Sequence, residues 1–174
     1  MTQIIALHGD FATPTMLQRD MGDLSELVDI FFDARKWLRF DAAMGRLTSL
    51  VQSLSEPPIV IGYSRGGSAI ARLSELVELR AAVVYESPVI DSEGVGGSFP
   101  VLVIWNDCGA KIKRPGQARV AEEIWSASHP VTQLQGVGRH VKRDPLGHGW
   151  DCGLNPQIRE WITQKSQLVR HHPA

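Results

Sequence analysis

Apolar residues follow two different spacings along this chain, and the spacings predict strands and helices in alternation. Residues 59–61 (Ile-Val-Ile) form a continuous β-branched run, which is typical of a strand buried on both faces of a sheet. Leu47, Val51 and Leu54 instead recur every three or four positions, as expected on one face of a helix. The predicted strands are 3–8, 28–32, 58–62, 81–85, 101–105 and 131–134, and the predicted helices are 14–28, 41–55, 68–78, 115–127 and 155–168.

This alternation predicts an α/β fold: a doubly wound, mostly parallel sheet of about six strands with helices on both faces. The 174 residues suit one domain that spans 1–174. In such sheets ligands bind beyond the carboxyl ends of the strands, so the residues that follow each strand are the first candidates for a functional site.

Composition narrows the function classes. The formal net charge is −1, which argues against a partner such as nucleic acid that is held by overall charge. No apolar run is long enough for a membrane span, and the N-terminus enters a strand without a signal-peptide pattern. Cys108 and Cys152 are too few for a disulfide framework. These features predict a cytoplasmic protein with reduced thiols.

The residues at 62–67 (Gly-Tyr-Ser-Arg-Gly-Gly) carry the strongest chemical signal. They follow a predicted buried strand and lead into a predicted helix. A Gly-x-Ser-x-Gly turn at such a junction strains the serine backbone and exposes the hydroxyl, which here would make Ser64 a nucleophile. The alternative is a glycine-rich turn whose small residues only allow close packing.

The turn after the first strand contains His8, Gly9, Asp10 and Phe11. A glycine there lets a backbone amide point into the site, and together with the Arg65 amide it would form a two-donor oxyanion hole. The alternative is a simple turn in which His8 is a structural histidine.

A serine nucleophile needs a histidine as base, and the histidine needs a carboxylate that fixes its tautomer. Two histidines lie between the last strand and the last helix. His148 is in a glycine-flanked loop (Leu-Gly-His-Gly-Trp, 146–150), which suits a base that reaches over the serine, whereas His140 is in a basic stretch. We expect His129, His171 and His172 to have no part in the chemistry.

The carboxylate has two main candidates. Asp107 directly follows the strand 101–105, and Glu86 directly follows the strand 81–85. Asp107 is favoured, and each also has an explanation without catalysis, Asp107 as a turn residue and Glu86 as a strand-end surface charge. Asp144 and Asp151 are close in sequence to His148 and are expected to shape its loop.

The chain resembles the α/β-hydrolase-fold serine hydrolases over nearly its whole length. The matching features, in family order, are His8-Gly9, the motif at 62–67, the strand and loop at 101–107, and Gly147-His148. The resemblance implies these roles: nucleophile Ser64, base His148, acid Asp107, and oxyanion amides from Arg65 and from Asp10 or Phe11. Asp107 comes earlier after its strand than the acid does in most members, so Glu86 stays open as the alternative.

The resemblance also implies the reaction: cleavage of a small-molecule carboxylic ester through an acyl-enzyme, without metal or organic cofactor. No segment is long enough for a cap domain, so we expect an open site, with substrate contacts from His8, Gly9, Tyr63 and Trp150. The alternatives are a thioesterase or amide hydrolase with the same triad, and a non-catalytic binding protein that keeps the fold. A nucleotide-binding role is less favoured, because the first turn lacks the three-glycine phosphate motif.

Two predicted loops at the carboxyl edge are rich in cations. They carry Lys111, Lys113, Arg114, Arg119, Arg139, Lys142 and Arg143. If these cations surround the site they favour a substrate that carries negative charge. The alternative is ordinary solvated surface charge.

Overall fold

The structure, a computed structural model of the chain, describes residues 2–10, 12–87, 95–106, 123–136 and 149–167. Its strands are β1 (Ile4–Leu7), β2 (Ile30–Phe32), β3 (Ile59–Tyr63), β4 (Ala81–Tyr85), β5 (Val101–Asn106) and β6 (Val131–Gly136). Its long helices are α1 (Pro14–Met21), α2 (Phe40–Gln52), α3 (Arg65–Ser74) and α4 (Asn155–Gln167). Short 3-10 helices cover Gly22–Leu27, Arg35–Trp37 and Cys152–Leu154.

The six strands of the described residues form one sheet in the order β2-β1-β3-β4-β5-β6, and every neighbouring pair is parallel. The predicted α/β class and the parallel sheet of about six strands are therefore confirmed. Of the predicted helix at 115–127, residues 115–122 lie outside the described residues, and residues 123–126 are helical.

One predicted helix is too long. The periodicity predicted a helix over 14–28, but α1 ends at Met21 and the chain continues as a 3-10 helix. The cause is Gly22, whose φ of 57° is a backbone conformation that interrupts the α-helix and that glycine adopts at little cost.

The sheet is covered on both faces, as predicted. Side chains of β1 alternate between the faces: Ile5 and Leu7 join the core beneath α2 and α3, whereas Ile4 and Ala6 join the core beneath α1 and α4. Within the described part of the chain, no helix has the length and apolar character required to cross a membrane.

The strand order locates the place where a ligand would bind. β1 has β2 on one side and β3 on the other, so the direction in which the sheet grows reverses at β1. In open α/β sheets ligands bind outside the carboxyl ends of the strands at this reversal. Here those ends are followed by His8 and by Ser64, the two motifs that the sequence singled out.

Candidate active site

Ser64 occupies a strained turn between β3 and α3. Its φ and ψ are 53° and −119°, a conformation that residues with a Cβ rarely adopt. Its backbone N–H donates a hydrogen bond of 2.9 Å to the carbonyl of Tyr85, which fixes the turn to the neighbouring strand β4. The residue is partly exposed at the carboxyl edge of the sheet. This is the geometry predicted from the motif.

Two glycines allow this turn because backbone passes close to both. A Cβ on Gly62 would lie 2.5 Å from the carbonyl oxygen of Gly66. A Cβ on Gly66 would lie 2.3 Å from the carbonyl oxygen of Leu7, in β1. The spacing of the motif therefore follows from how tightly the start of α3 packs on β1 and β3.

The turn after β1 lies against the serine. A Cβ built on Gly9 would be 3.1 Å from the Cβ of Ser64 and 3.5 Å from its Oγ. Next along the chain, Asp10 places a carboxylate oxygen 4.0 Å from Nε of Arg65, the first residue of α3. The structure thus brings together Gly9, Asp10, Ser64 and Arg65 as the sequence predicted. The partly exposed Tyr63 ring also borders Gly9, at 3.4 Å from the same built Cβ.

His8 lies behind this turn. It is fully buried, and its Nδ1 is 2.7 Å from the carbonyl oxygen of Gly9. The N–H of Ala34 donates to its Nε2 at 3.2 Å, so Nε2 is the acceptor and the ring proton is on Nδ1, donated to Gly9. The indole of Trp37 donates to the carbonyl of His8 at 2.8 Å. With no accessible surface, His8 supports the turn rather than contacting a substrate, contrary to our expectation.

Backbone strain is concentrated at this edge. Four non-glycine residues among those described have positive φ: Arg35, Trp37, Ser64 and Glu86. All four follow the carboxyl ends of strands, the first two after β2 and the others after β3 and β4. Strained residues persist where the surrounding structure over-determines them, and they cluster at active sites. Nothing in the sequence indicated strain at Arg35 and Trp37.

The Arg65 side chain is held over an aromatic ring. Its guanidinium carbon lies 4.6 Å from the centre of the Phe40 ring, and 19% of the side chain is exposed. This arrangement places a positioned cation beside Ser64. Sequence reasoning missed Phe40, because it is 25 positions from Arg65 and only the packing of α2 beside α3 brings the two together.

An aromatic cluster anchors the chain that follows the predicted base. Trp150 stacks on Tyr85 with ring centres 4.2 Å apart, and it lies 6.4 Å from the Tyr63 ring. The backbone N–H of Asp151 donates to the Tyr85 hydroxyl at 2.7 Å. Trp150 is only 2% exposed and its indole donates to Asn155, so it is chiefly a core residue and not the open pocket wall that we expected.

Many of the residues singled out in the sequence lie outside the described residues. They include the candidate base and acid, the third oxyanion position and the cationic loops: His148, His140, Asp107, Asp144, Phe11, Cys108, Lys111, Lys113, Arg114, Arg119, Arg139, Lys142 and Arg143. The rival acid Glu86 is described, and its exposed fraction is 3%.

Two further titratable groups have shifted pKa values. His129 precedes β6, at the opposite end of the sheet, and packs on Phe99 and Trp125. Burial lowers its pKa, so the ring is neutral near pH 7. Cys152 is a free thiol whose pKa is raised by desolvation and by nearby carboxylates, which makes it a poor nucleophile. Among the described residues, no group of three or more His, Cys, Asp or Glu side chains could hold a metal ion.

Comparison by structure finds proteins of the same architecture. A phospholipase/carboxylesterase from Dyadobacter fermentans is 12% identical with a TM-score of 0.61, and the match covers 91% of this chain and 90% of that one. SOBER1 from Arabidopsis thaliana is 13% identical with a TM-score of 0.67, covering 95% and 99%. YahD, solved with malic acid, is 14% identical with a TM-score of 0.66, covering 95% and 94%.

Comparison by sequence gives no such similarity: neither a family model nor a curated protein matches the chain. The structural matches extend over nearly the full length of both compared chains, which establishes the fold. The chain has the α/β-hydrolase fold.

Proposed function

We propose that this protein is a serine hydrolase that cleaves carboxylic esters through an acyl-enzyme. The observation that carries the proposal is Ser64 itself, a strained and partly exposed serine at the N-terminus of α3 with Gly9 against it. A fold shared with a phospholipase/carboxylesterase supports the same reaction class.

In the first half of the reaction the Ser64 hydroxyl attacks the ester carbonyl. Its proton passes to the imidazole of His148 as the Oγ–C bond forms, and the carbonyl oxygen becomes an oxyanion. The amide of Arg65, in the first turn of α3, and the amide of Asp10 or Phe11 are the proposed donors to that oxyanion. The ester C–O bond then breaks, and His148 returns the proton to the leaving alcohol.

In the second half, water replaces the alcohol. His148 takes a proton from the water, the resulting hydroxide attacks the acyl carbon, and the C–Oγ bond breaks with return of the proton to Ser64. A carboxylate has to hold the histidine in one tautomer throughout. The resemblance suggested Asp107 for that carboxylate, with Glu86 as the rival.

His8 has a positioning role in this scheme. The carbonyl of Gly9 and the N–H of Asp10 belong to one rigid peptide plane and point in opposite directions. By donating to the Gly9 carbonyl at 2.7 Å, His8 helps to fix the direction of the Asp10 N–H, together with the Ala12 N–H, which donates to the same carbonyl at 3.2 Å. The proposed oxyanion donor is therefore set in place before the substrate arrives, which is what makes such donors effective.

Replacement of His8 by alanine is expected to lower kcat about 10²-fold with little change in KM, since one oxyanion donor is worth about that much. His8→Asn is the control, because its side-chain N–H can replace Nδ1 as the donor to Gly9. Both variants leave the Ala34 N–H without its acceptor and should be similarly destabilised. Steady-state kinetics and thermal melts separate the two effects. Equal kcat values in the two variants would contradict the role.

The proposed substrate carries negative charge close to its ester group. Arg65 supports this, because it immediately follows the nucleophile and its guanidinium is held over Phe40, with Nε 4.0 Å from the Asp10 carboxylate. The match to a protein solved with malic acid, a dicarboxylic acid, is consistent with it. We expect a p-nitrophenyl ester that bears a carboxylate to have the higher kcat/KM, and added salt to remove the difference. Equal turnover of neutral and anionic esters at low salt would refute the anionic preference alone.

A fluorophosphonate probe tests the reaction class. It phosphonylates an activated serine, so wild-type protein should be labelled and peptide mass spectrometry should place the adduct on Ser64. Ser64→Ala should not be labelled, while Ser49→Ala, which alters an exposed serine on α2, should label normally. A folded wild-type protein that neither labels nor hydrolyses esters would instead indicate a binding protein that keeps the fold.

A further inference from the structure

Trp37 has a backbone conformation that is costly for a residue of its size. Its φ is 55°, a left-handed value that glycine adopts freely and that is rare for a bulky side chain. The residue ends the short 3-10 helix that follows β2, and its side chain is buried. Strain of this kind persists where the surrounding contacts outweigh it, so the contacts of the Trp37 side chain indicate its role.

The indole of Trp37 restrains one peptide of the turn beside Ser64. Its N–H donates to the carbonyl of His8 at 2.8 Å, and this hydrogen bond is buried. The His8 carbonyl and the Gly9 N–H belong to one rigid peptide plane, so the bond limits the orientation of both groups. Gly9 is the residue that lies against the Cβ and Oγ of Ser64. Trp37 therefore acts on the backbone next to the candidate nucleophile.

The same segment also holds the His8 ring. The N–H of Ala34 donates to Nε2 of His8 at 3.2 Å, and the Trp37 ring lies 6.0 Å from the imidazole, centre to centre. The backbone N–H of Trp37 donates to the Ala34 carbonyl at 3.0 Å, which closes residues 34–37 into a tight turn. His8 in turn donates from Nδ1 to the Gly9 carbonyl. The peptides on both sides of Gly9 are therefore tied to the turn 34–37, either directly or through His8.

The contacts of Trp37 continue to the other side of the candidate site. Its ring centre is 5.6 Å from that of Phe40, and the Phe40 ring lies beneath the guanidinium of Arg65. The stretch 34–40 therefore reaches both the turn after β1 and the residue that follows Ser64. These contacts explain a tryptophan at a position where the backbone favours glycine, because glycine would relieve the strain and lose all of them.

We propose that Trp37 is a positioning residue for the oxyanion hole. This inference rests on the proposed serine hydrolase function. Through its hydrogen bond to the His8 carbonyl, Trp37 limits the movement of the turn 8–10, so that the Asp10 amide has its direction before the substrate binds. Such donors are effective because they need no rearrangement when the oxyanion forms. Trp37 acts on the oxyanion only through this turn and has no contact with the reacting atoms.

A matched pair of substitutions tests this role: Trp37→Phe and Trp125→Phe. Each replaces a buried indole by a smaller ring, but the Trp125 N–H has no hydrogen-bond partner among the described residues. Trp125 packs on His129, which precedes β6 at the opposite end of the sheet. We expect Trp37→Phe to lower kcat about tenfold, less than the roughly 10²-fold loss of a whole oxyanion donor, because the donor is displaced and not removed. KM should stay within about twofold of wild type in both variants, and Trp125→Phe should keep the wild-type kcat.

Binding of phenylboronic acid provides a readout that a merely structural role would not change. The Ser64 Oγ bonds to boron as its proton passes to the base, and one oxygen of the tetrahedral adduct occupies the oxyanion hole, as in the transition state. The dissociation constant of this adduct should rise about tenfold in Trp37→Phe, in step with the fall in kcat, and stay unchanged in Trp125→Phe. Titration with the fluorophosphonate probe counts the active sites, so that a loss of folded protein is not mistaken for a loss of rate.

The possible failures are distinguishable. If thermal melts show that Trp37→Phe does not fold, benzothienylalanine introduced at position 37 decides, because it keeps the shape of indole with sulfur in place of the N–H. Equal kcat and equal boronic acid affinity in the variants of Trp37 and Trp125 would overturn the positioning role and leave the serine hydrolase intact. An effect confined to KM would overturn it as well, since it would indicate a contact with the substrate. A wild-type protein without esterase activity or fluorophosphonate labelling would overturn the proposed function, and the Trp37 inference with it.

Discussion

Replacement of Ser64 by alanine is expected to lower kcat for ester hydrolysis about 10⁶-fold, the loss typical of a triad whose members act as a unit. Without Oγ no acyl-enzyme forms, and the rate that remains comes only from substrate binding and the oxyanion donors. The measurement is p-nitrophenyl ester hydrolysis by freshly purified protein. Residual turnover above about 1% of wild type would place the nucleophile elsewhere.

Substitution of Ser64 by glycine separates the chemistry from the strain. Alanine keeps the Cβ, and with it the unfavourable backbone conformation at a φ of 53°, whereas glycine relieves it. Strain of this kind costs on the order of 1–3 kcal/mol, and glycine gives back about 0.5–1 kcal/mol through the greater freedom of its unfolded chain. Ser64→Gly should therefore be inactive yet about 1 kcal/mol more stable than Ser64→Ala in urea denaturation. The reverse order of stability would show that the turn stores no strain.

The turn that carries Ser64 could be predicted from the sequence because its causes are local. A buried strand, two glycines and a helix follow one another between residues 59 and 74, and together they determine where Ser64 lies. The parallel sheet could be predicted for a similar reason, since continuous apolar runs separated by helical periodicity leave few other arrangements. Gly9 could be predicted to lie near Ser64 for the same reason, because it comes just after a strand.

Contacts between distant parts of the chain could not be predicted in this way. Nothing in the sequence around His8 shows that the Ala34 N–H will donate to its ring or that the Trp37 indole will donate to its carbonyl. The buried ring therefore looked like a possible substrate contact. Phe40 beneath Arg65 was hidden for the same reason.

Glu86 illustrates a further limit. At the sequence level it was one of two acids that follow strands, and its charge suggested an exposed strand end. Its burial and its positive φ arise from how β4, β5 and α3 meet.

Replacement of Gly66 by alanine is expected to destabilise the protein by about 3 kcal/mol or more, at or above the usual upper range for overpacking a core. The added Cβ would lie 2.3 Å from the Leu7 carbonyl oxygen and 2.8 Å from the Leu7 Cβ, so either β1 or α3 must move. Leu7 is only two residues from Gly9, which lies against Ser64. The same displacement should therefore lower kcat even in protein that stays folded.

Gly45→Ala is the matched control. Gly45 is an exposed residue within α2, and a Cβ there meets nothing within 4 Å. The same chemical change should therefore stabilise the protein by about 0.5–1 kcal/mol, because alanine loses less backbone freedom than glycine when the helix forms. Urea denaturation and ester hydrolysis of the two variants, measured together, test the packing of the turn that carries Ser64. If Gly66→Ala were as stable and as active as Gly45→Ala, α3 would not pack on β1 as closely as the structure shows, and the support for Ser64 would have to lie elsewhere.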